Sequence, residues 1–85
     1  MSKEEFSYPI DYDLYTTDEI IDLVDFLHLV EKYHEDKHAV NHDQLKRKYK
    51  DFQFIINNKG EQKRIDQAFS KHTGFSIYKT MKELD

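Results

Sequence analysis

Residues 16–33 constrain the fold of this chain more than any other part of the sequence. Thr16 and Glu19 have the spacing of a capping box, in which each side chain accepts a hydrogen bond from the backbone N–H of the other residue. Most of the following residues are apolar. Polar residues form a narrow stripe along one side of the predicted helix: Asp18, Asp22, Asp25 and Lys32. A helix that is apolar around most of its circumference must be covered on several sides. We therefore predict that this segment forms the central helix of the fold.

A second helix is predicted to begin near Asn41, which together with Gln44 has the spacing of another capping box. A single apolar stripe follows at spacings of four, three and four: Leu45, Tyr49, Phe52 and Ile56. Because this spacing repeats on one face of a helix, that face is expected to pack on the core. The chain has only two glycines and one proline, which favours long helices over a β fold rich in turns.

Residues 57–60, Asn-Asn-Lys-Gly, are expected to form the turn into a third helix. One face of this third helix carries Ile65, Ala68, Phe69 and His72. Gly74 is placed to end it in a left-handed cap, because glycine adopts a positive φ without a steric cost. Ser76 can then cap a short fourth helix. The sequence thus predicts three main helices and a short C-terminal one.

The first fifteen residues are predicted to form an extended arm, since Pro9 disfavours helical geometry at Tyr8. Apolar residues alternate with polar ones or proline along this arm: Phe6, Tyr8, Ile10, Tyr12 and Leu14. A period of two is suited to laying one side of the arm on a core. The complete prediction is an all-α fold in one domain, residues 1–85, with an extended arm (1–15) packed on a helical bundle (16–85).

The composition excludes several classes of protein. The chain has no cysteine, so it lacks disulfides and thiolate chemistry, and a cytoplasmic location is expected. No apolar run approaches the roughly 18 residues that a membrane-spanning helix requires. There is no glycine-rich phosphate loop and no serine in a nucleophile motif, so neither a cofactor nor an enzymatic activity is expected.

The overall charge of −4 is unevenly distributed, with a net −9 on residues 1–43 and a net +5 on residues 44–85. Opposite charges on the two halves are expected chiefly to help them dock on each other. An alternative is nucleic-acid binding through the basic face of residues 46–71, which would use Lys46, Arg47, Lys50, Lys63, Arg64 and Lys71. The net acidity of the chain disfavours strong affinity for phosphates.

Residues 34–38, His-Glu-Asp-Lys-His, match the H-E-x-x-H pattern of zinc proteases. In those enzymes two histidines one helical turn apart bind zinc, and the glutamate activates water. A metal-dependent hydrolase using His34, Glu35 and His38 is therefore a third hypothesis. A related possibility is a surface metal site formed by His34, His38 and His42, which follow one another at intervals of four residues. The match lies at the frayed end of a helix without an obvious third ligand, so we expect solvated histidines and no metal site.

Several aromatic and charged residues form the candidate binding site for a partner. The aromatic residues are mostly expected in the core, where they supply the largest burial per residue. Those left exposed beside charged residues would give a docking patch with an apolar centre and a charged rim. The candidates are Tyr8, Asp11, Tyr12, Asp13, Lys63, Arg64 and Tyr78. The function predicted from this pattern is a small protein-interaction module, monomeric or weakly self-associating, that binds an unknown protein partner.

Five stretches of the sequence, in this order, resemble a small uncharacterised protein family of low-GC Gram-positive bacteria. They are residues 8–13 (Tyr-Pro-Ile-Asp-Tyr-Asp), 17–21 (Thr-Asp-Glu-Ile-Ile), 30–32 (Val-Glu-Lys), 61–65 (Glu-Gln-Lys-Arg-Ile) and 74–80 (Gly-Phe-Ser-Ile-Tyr-Lys-Thr). None of them is a catalytic motif, so the resemblance depends on their combination. It implies a compact all-helical fold and no assigned activity.

Overall fold

The computed structural model describes residues 8–84, and within them it contains helices and no β-strand. The four α-helices are α1 (Thr17–Glu35), α2 (His42–Ile55), α3 (Lys59–Thr73) and α4 (Ile77–Leu84). Two single 3-10 turns, Tyr12–Leu14 and Lys37–Ala39, precede α1 and α2. The all-α prediction, with three main helices and a short C-terminal one, is confirmed. Over this part of the chain, no helix is both long and apolar enough to cross a membrane.

The first two helices begin where the sequence places their caps. At the start of α1, the Glu19 N–H donates to Thr16 Oγ1 at 3.2 Å, and the Thr16 N–H donates to Glu19 Oε1 at 2.9 Å. At the start of α2, Asn41 Oδ1 accepts from the Gln44 N–H at 2.9 Å. These bonds satisfy backbone donors that have no partner inside the helix. Both predicted helix starts are therefore confirmed.

The start of α3 differs slightly from the prediction. Asn58, rather than Gly60, marks this boundary, because its side chain accepts from the Glu61 N–H at 2.9 Å and caps the helix. Gly60 consequently lies inside the first turn of α3 and not in the preceding turn. At the other end the prediction holds: Gly74 has a φ of 87° and ends the helix in the left-handed region.

The buried core is built around α1 and collects residues from every α-helix. The contribution of α1 is Leu23, Phe26, Leu27, Val30 and Tyr33. The other buried apolar residues are Ile10, Val40, Leu45, Phe52, Ile56, Ile65, Phe69, Ile77 and Met81. The predicted core stripe of α2 is confirmed, with three of its positions buried and Tyr49 partly buried. The central helix is therefore covered from several sides, as its composition requires.

One narrow stripe of α1 remains in solvent. It includes Asp18, Ile21, Asp25, His28 and Lys32. The prediction is wrong for Ile21, which was expected to be covered because it is apolar but is 51% exposed. Asp22 lies just beside this stripe, where its carboxylate is 3.8 Å from Lys48 Nζ on α2. Only this one side of α1 is exposed to solvent, so α1 remains the central helix of the fold.

The described part of the N-terminal arm is held by contacts to two helices. Ile10 is buried in the core, and the ring of Tyr8 stacks on Phe69 of α3 with centroids 6.3 Å apart. The Tyr8 hydroxyl also donates a hydrogen bond to Glu31 of α1 at 2.6 Å. The predicted packing of the arm on the bundle is thus observed at these two positions. Phe6, the first residue of the predicted alternation, lies outside the described residues.

The alternation breaks down where the arm approaches α1. Asp11 caps the 3-10 turn at Tyr12–Leu14, its carboxylate accepting from the Asp13 N–H at 3.1 Å. A 3-10 turn repeats every three residues, so side chains two apart no longer share a side. As a result Tyr12 is 45% exposed and Leu14 66% exposed, and the period-two prediction is wrong for these two residues.

Candidate functional site

A groove of about 390 Å³ opens between α2, α3 and the first turn of α4. Its apolar lining comes from Tyr49 and Phe52 of α2 and from Ile77 and Tyr78 of α4. Phe52 and Ile77 are buried, whereas Tyr78 has 59% of its surface exposed. The groove thus combines a packed apolar floor with one aromatic residue that is largely exposed.

Lysines surround this floor. Lys59 and Lys63 lie one turn apart on α3, and Lys79 lies on α4. Within residues 8–84, no carboxylate lies within 4.0 Å of the ammonium group of any of these three lysines. The amides of Gln53 and Gln62 complete the polar part of the lining. We refer to this site, which comprises the floor and the three lysines, as the lysine-rimmed groove.

Asp66 is the acidic residue in the lining of the groove, and its carboxylate is engaged in capping α4. Oδ1 accepts from the Ile77 N–H at 2.7 Å, and Oδ2 accepts from the Ser76 hydroxyl at 3.2 Å and from the Tyr78 N–H at 3.3 Å. The predicted cap is also present, since Ser76 Oγ accepts from the Lys79 N–H at 3.2 Å. Asp66 therefore joins α3 to the start of α4 and fixes the backbone that carries Tyr78. Sequence reasoning missed this contact, which spans eleven residues.

The seven candidate binding residues do not form one surface. Two of them line the groove: Lys63 and Tyr78. Three line a separate depression of about 650 Å³ beside the arm: Tyr8, Asp11 and Arg64. The remaining two lie exposed on the 3-10 turn: Tyr12 and Asp13. Adjacent positions on a helix differ in direction by about 100°, so Lys63 and Arg64 of α3 line different depressions.

In the depression beside the arm, the polar side chains already have partners within the chain. Arg64 Nε donates to Glu61 Oε1 at 2.9 Å, and its guanidinium lies 3.5 Å from the carbonyl oxygen of Pro9. Burial and the hydrogen bond to Glu31 raise the pKa of the Tyr8 hydroxyl well above its ordinary value, so it stays protonated and keeps donating. These contacts attach the arm to the bundle, whereas the lysines of the groove have no carboxylate partner in the described part of the chain.

Comparison with known proteins places the chain among bacterial relatives. A family model described as an uncharacterised protein family, UPF0223, matches residues 5–85. The chain belongs to the UPF0223 family. A UPF0223 protein of Streptococcus thermophilus is 39% identical over 82 residues, which cover 96% of this chain and 85% of the relative. One of Listeria welshimeri is 42% identical over 77 residues, covering 91% and 82%.

These relatives confirm the resemblance that the sequence indicated, because Streptococcus and Listeria are low-GC Gram-positive bacteria. No solved structure matches the chain. Since UPF0223 is an uncharacterised family, membership in it assigns no reaction to this chain. The function must therefore be inferred from the surface of this UPF0223 chain.

The H-E-x-x-H match in this UPF0223 member does not form the geometry that a zinc protease needs. Helix α1 ends at Glu35, and His38 lies in the following 3-10 turn, so the two histidines do not share a helix. His34 Nε2 is instead 2.7 Å from Thr80 Oγ1, and its ring stacks on Phe75 with centroids 4.1 Å apart. His42 is the first residue of α2. The described residues include no group of three or more His, Cys, Asp or Glu that could hold a metal ion.

The role of His34 is to join α1 to α4. The Thr80 hydroxyl donates to the carbonyl oxygen of Ser76 at 2.7 Å, so its oxygen accepts from the Nε2–H of His34. Burial lowers the pKa of His34, and the nearby Lys37 ammonium lowers it further, while the Glu83 carboxylate opposes both effects. The folded state consequently favours the neutral imidazole.

This arrangement predicts a loss of stability on mild acidification. Because the pKa of His34 is lower in the folded than in the unfolded chain, the unfolded chain binds the proton more tightly. The free energy of unfolding should therefore fall as the pH drops below about 6.5, and this contribution should level off below the folded-state pKa. The measurement is urea unfolding between pH 5 and 8, compared with His34→Gln, which cannot titrate. If the difference between the two proteins does not change with pH, the assignment is wrong.

The basic residues considered for nucleic-acid binding are dispersed in this UPF0223 chain. Arg47 and Lys50 line one depression on α2, and Lys63 lines the groove. Arg64 and Lys71 line two further depressions, and Arg64 is paired with Glu61. A duplex is contacted by cations along a continuous path that follows its phosphates. Five of the six candidate residues thus line four different depressions and do not share one groove.

Proposed function

We propose that this chain is a protein-interaction module without catalytic activity, which binds a partner protein through the lysine-rimmed groove. The observation that carries the proposal is the exposed Tyr78 side chain beside an apolar floor and three lysines that form no ion pair within residues 8–84. Protein interfaces combine an apolar, aromatic-rich centre with a polar rim, and tyrosine is frequent among the residues that dominate binding energy. We also propose that the module acts in the cytoplasm, because its packed core is free of disulfides.

The packing of the groove also supports this proposal. Phe52 and Ile77 are fixed in the core, and Asp66 holds the backbone of Ile77 and Tyr78 through two N–H groups. A surface that is already ordered loses less conformational entropy on binding than a flexible one. Tyr78 thus stands on a rigid support, with its ring close to Lys82, whose ammonium lies 5.6 Å from the ring centroid.

The proposal predicts a selective effect of Tyr78→Ala. Partner binding should weaken by about 2 kcal/mol, or roughly thirtyfold in Kd, because a tyrosine at the centre of an interface carries a large share of the binding energy. The midpoint of thermal unfolding should hardly change, since the side chain is 59% exposed. The measurement is capture of proteins from a nuclease-treated extract of a bacterium with a UPF0223 member, with captured proteins quantified by mass spectrometry. Kd is then measured with the purified partner.

The matched control is Phe54→Ala, which removes another exposed aromatic ring, 83% exposed, from a position outside the lining of the groove. This variant should capture the same proteins as the wild type. Loss of capture with Phe54→Ala but not with Tyr78→Ala would show that the groove is not the binding site. Capture that disappears on nuclease treatment of the wild-type sample would instead favour the nucleic-acid hypothesis.

A further inference from the structure

We infer that the lysine-rimmed groove binds an acidic peptide segment of the partner, in which carboxylates flank an aliphatic or aromatic side chain. This inference rests on the proposed function and adds the chemistry of the ligand. It follows from the charges around the groove, from their arrangement on its two walls and from the apolar floor between them.

The cations of the groove come from two of its helices. Lys59 and Lys63 are four residues apart on α3, which places them on one face of that helix, about 6 Å apart along its axis. Lys79 follows Tyr78 on α4, which forms a second wall of the groove. A segment that inserts an apolar side chain above Phe52 can therefore place carboxylates within reach of both walls.

The three lysines of the groove form no ion pair with a carboxylate of residues 8–84. Elsewhere in the described chain, several cations are paired: Lys37 with Glu83, Lys48 with Asp22, and Arg64 with Glu61. Among the described residues that line the groove, Asp66 supplies the carboxylate, which accepts hydrogen bonds from the start of α4. An acidic ligand would gain contacts with three lysines, whereas a basic ligand would be repelled by them.

The polar lining is suited to a peptide rather than to a small apolar molecule. Gln53 lies beside the lysines with amide groups that can donate to and accept from a peptide backbone. The Nε2 of Gln62 already donates one hydrogen bond to the carbonyl oxygen of Ile56, and its second N–H and its amide oxygen can still bind a peptide. An extended or helical segment thus finds partners for its charges, its apolar side chain and part of its backbone in the same groove.

The first experiment selects ligands without assuming their sequence. A displayed library of random twelve-residue peptides is selected on the full-length wild-type chain, and binders that also recognise Lys63→Glu are removed. The expected result is enrichment of peptides with several Asp or Glu residues around one Leu, Ile, Phe or Trp. Groove-dependent peptides that are neutral or basic would overturn the acidic-ligand inference while leaving the proposed function in place.

The second experiment measures one selected peptide, labelled with fluorescein, by anisotropy. Replacing its carboxylates by amides, or introducing Lys63→Glu into the protein, should each raise Kd about tenfold or more, since opposite charges at close range are lost. Raising NaCl from 0.05 to 0.5 M should also weaken binding, because salt screens these contacts. The control is Lys50→Glu, which reverses an exposed lysine outside the groove and should leave Kd within about twofold of the wild type.

Other occupants of the groove give different results. If no enriched peptide depends on Lys63, the proposed function fails together with the inference. Self-association of the chain in sedimentation experiments that Lys63→Glu abolishes would assign the groove to a second copy and overturn the inference. Binding of a labelled single-stranded oligonucleotide that Lys63→Glu abolishes would overturn it in favour of nucleic acid.

Discussion

Phe26→Ala is expected to lower the free energy of unfolding by about 3–5 kcal/mol, the range for a fully buried phenylalanine. Phe26 has no exposed surface, and its ring centroid lies 5.1 Å from that of Phe52 and 5.7 Å from that of Tyr49. Truncation removes these contacts and leaves a cavity between α1 and α2. The measurement is urea unfolding of both proteins, monitored by far-UV circular dichroism.

The matched control on the same helix is Ile21→Ala, because Ile21 is 51% exposed. Its effect should stay within about 0.5 kcal/mol, as is usual for surface substitutions. If Phe26→Ala is unfolded without denaturant, Phe26→Leu provides a milder test, with an expected loss of about 1 kcal/mol. Equal losses at positions 21 and 26 would contradict the position of α1 in the core.

Asp66→Ala is expected to lower the free energy of unfolding by about 2–3 kcal/mol. The carboxylate accepts from the N–H groups of Ile77 and Tyr78 and from the Ser76 hydroxyl, and hydrogen bonds to a charged group contribute more than neutral ones. It also lies at the positive end of α4. An isolated helix of this length is not stable in water, so α4 depends on such contacts. Amide hydrogen exchange should accelerate most at residues 77–84.

The control for this prediction is Asp66→Asn, which keeps one acceptor oxygen and removes the charge. It should lose about half as much stability as Asp66→Ala. If exchange accelerates uniformly over the whole chain in both variants, Asp66 supports the fold globally and is not a specific cap of α4. A combined measurement with the selected peptide would show whether a loosened α4 also weakens the lysine-rimmed groove.

The helices could be predicted well because their signals are local. Thr16 caps α1 through a bond to a residue three positions ahead, and Gly74 ends α3 through its own backbone conformation. The core stripes of α1 and α2 follow from helical periodicity and are buried or partly buried as expected, apart from Ile21. Ile21 is exposed because the neighbouring elements cover the other sides of α1, and no local feature of the sequence specifies which sides those are.

The candidate site was predicted only in part. Tyr78 and Lys63 do lie in one groove, but Lys59 and Lys79 were not singled out, and Arg64 faces the depression beside the arm. The positions of Lys59 and Lys63, four apart on one predicted helix, could have indicated a shared face. The presence of Lys79 in the same groove could not be predicted in this way, since it depends on how α4 packs on α3.

The sequence by itself determined the helical class, the helix starts at Thr16 and Asn41, the end at Gly74 and most of the core, because these depend on interactions within a few residues. The tertiary structure decided how α4 is fixed by Asp66 and His34, and which lysines surround Tyr78. The bond from Ile77 to Asp66 spans eleven positions and the bond between His34 and Thr80 spans 46, so both arise only when the helices pack. The groove belongs to this second group, because its walls come from three different helices.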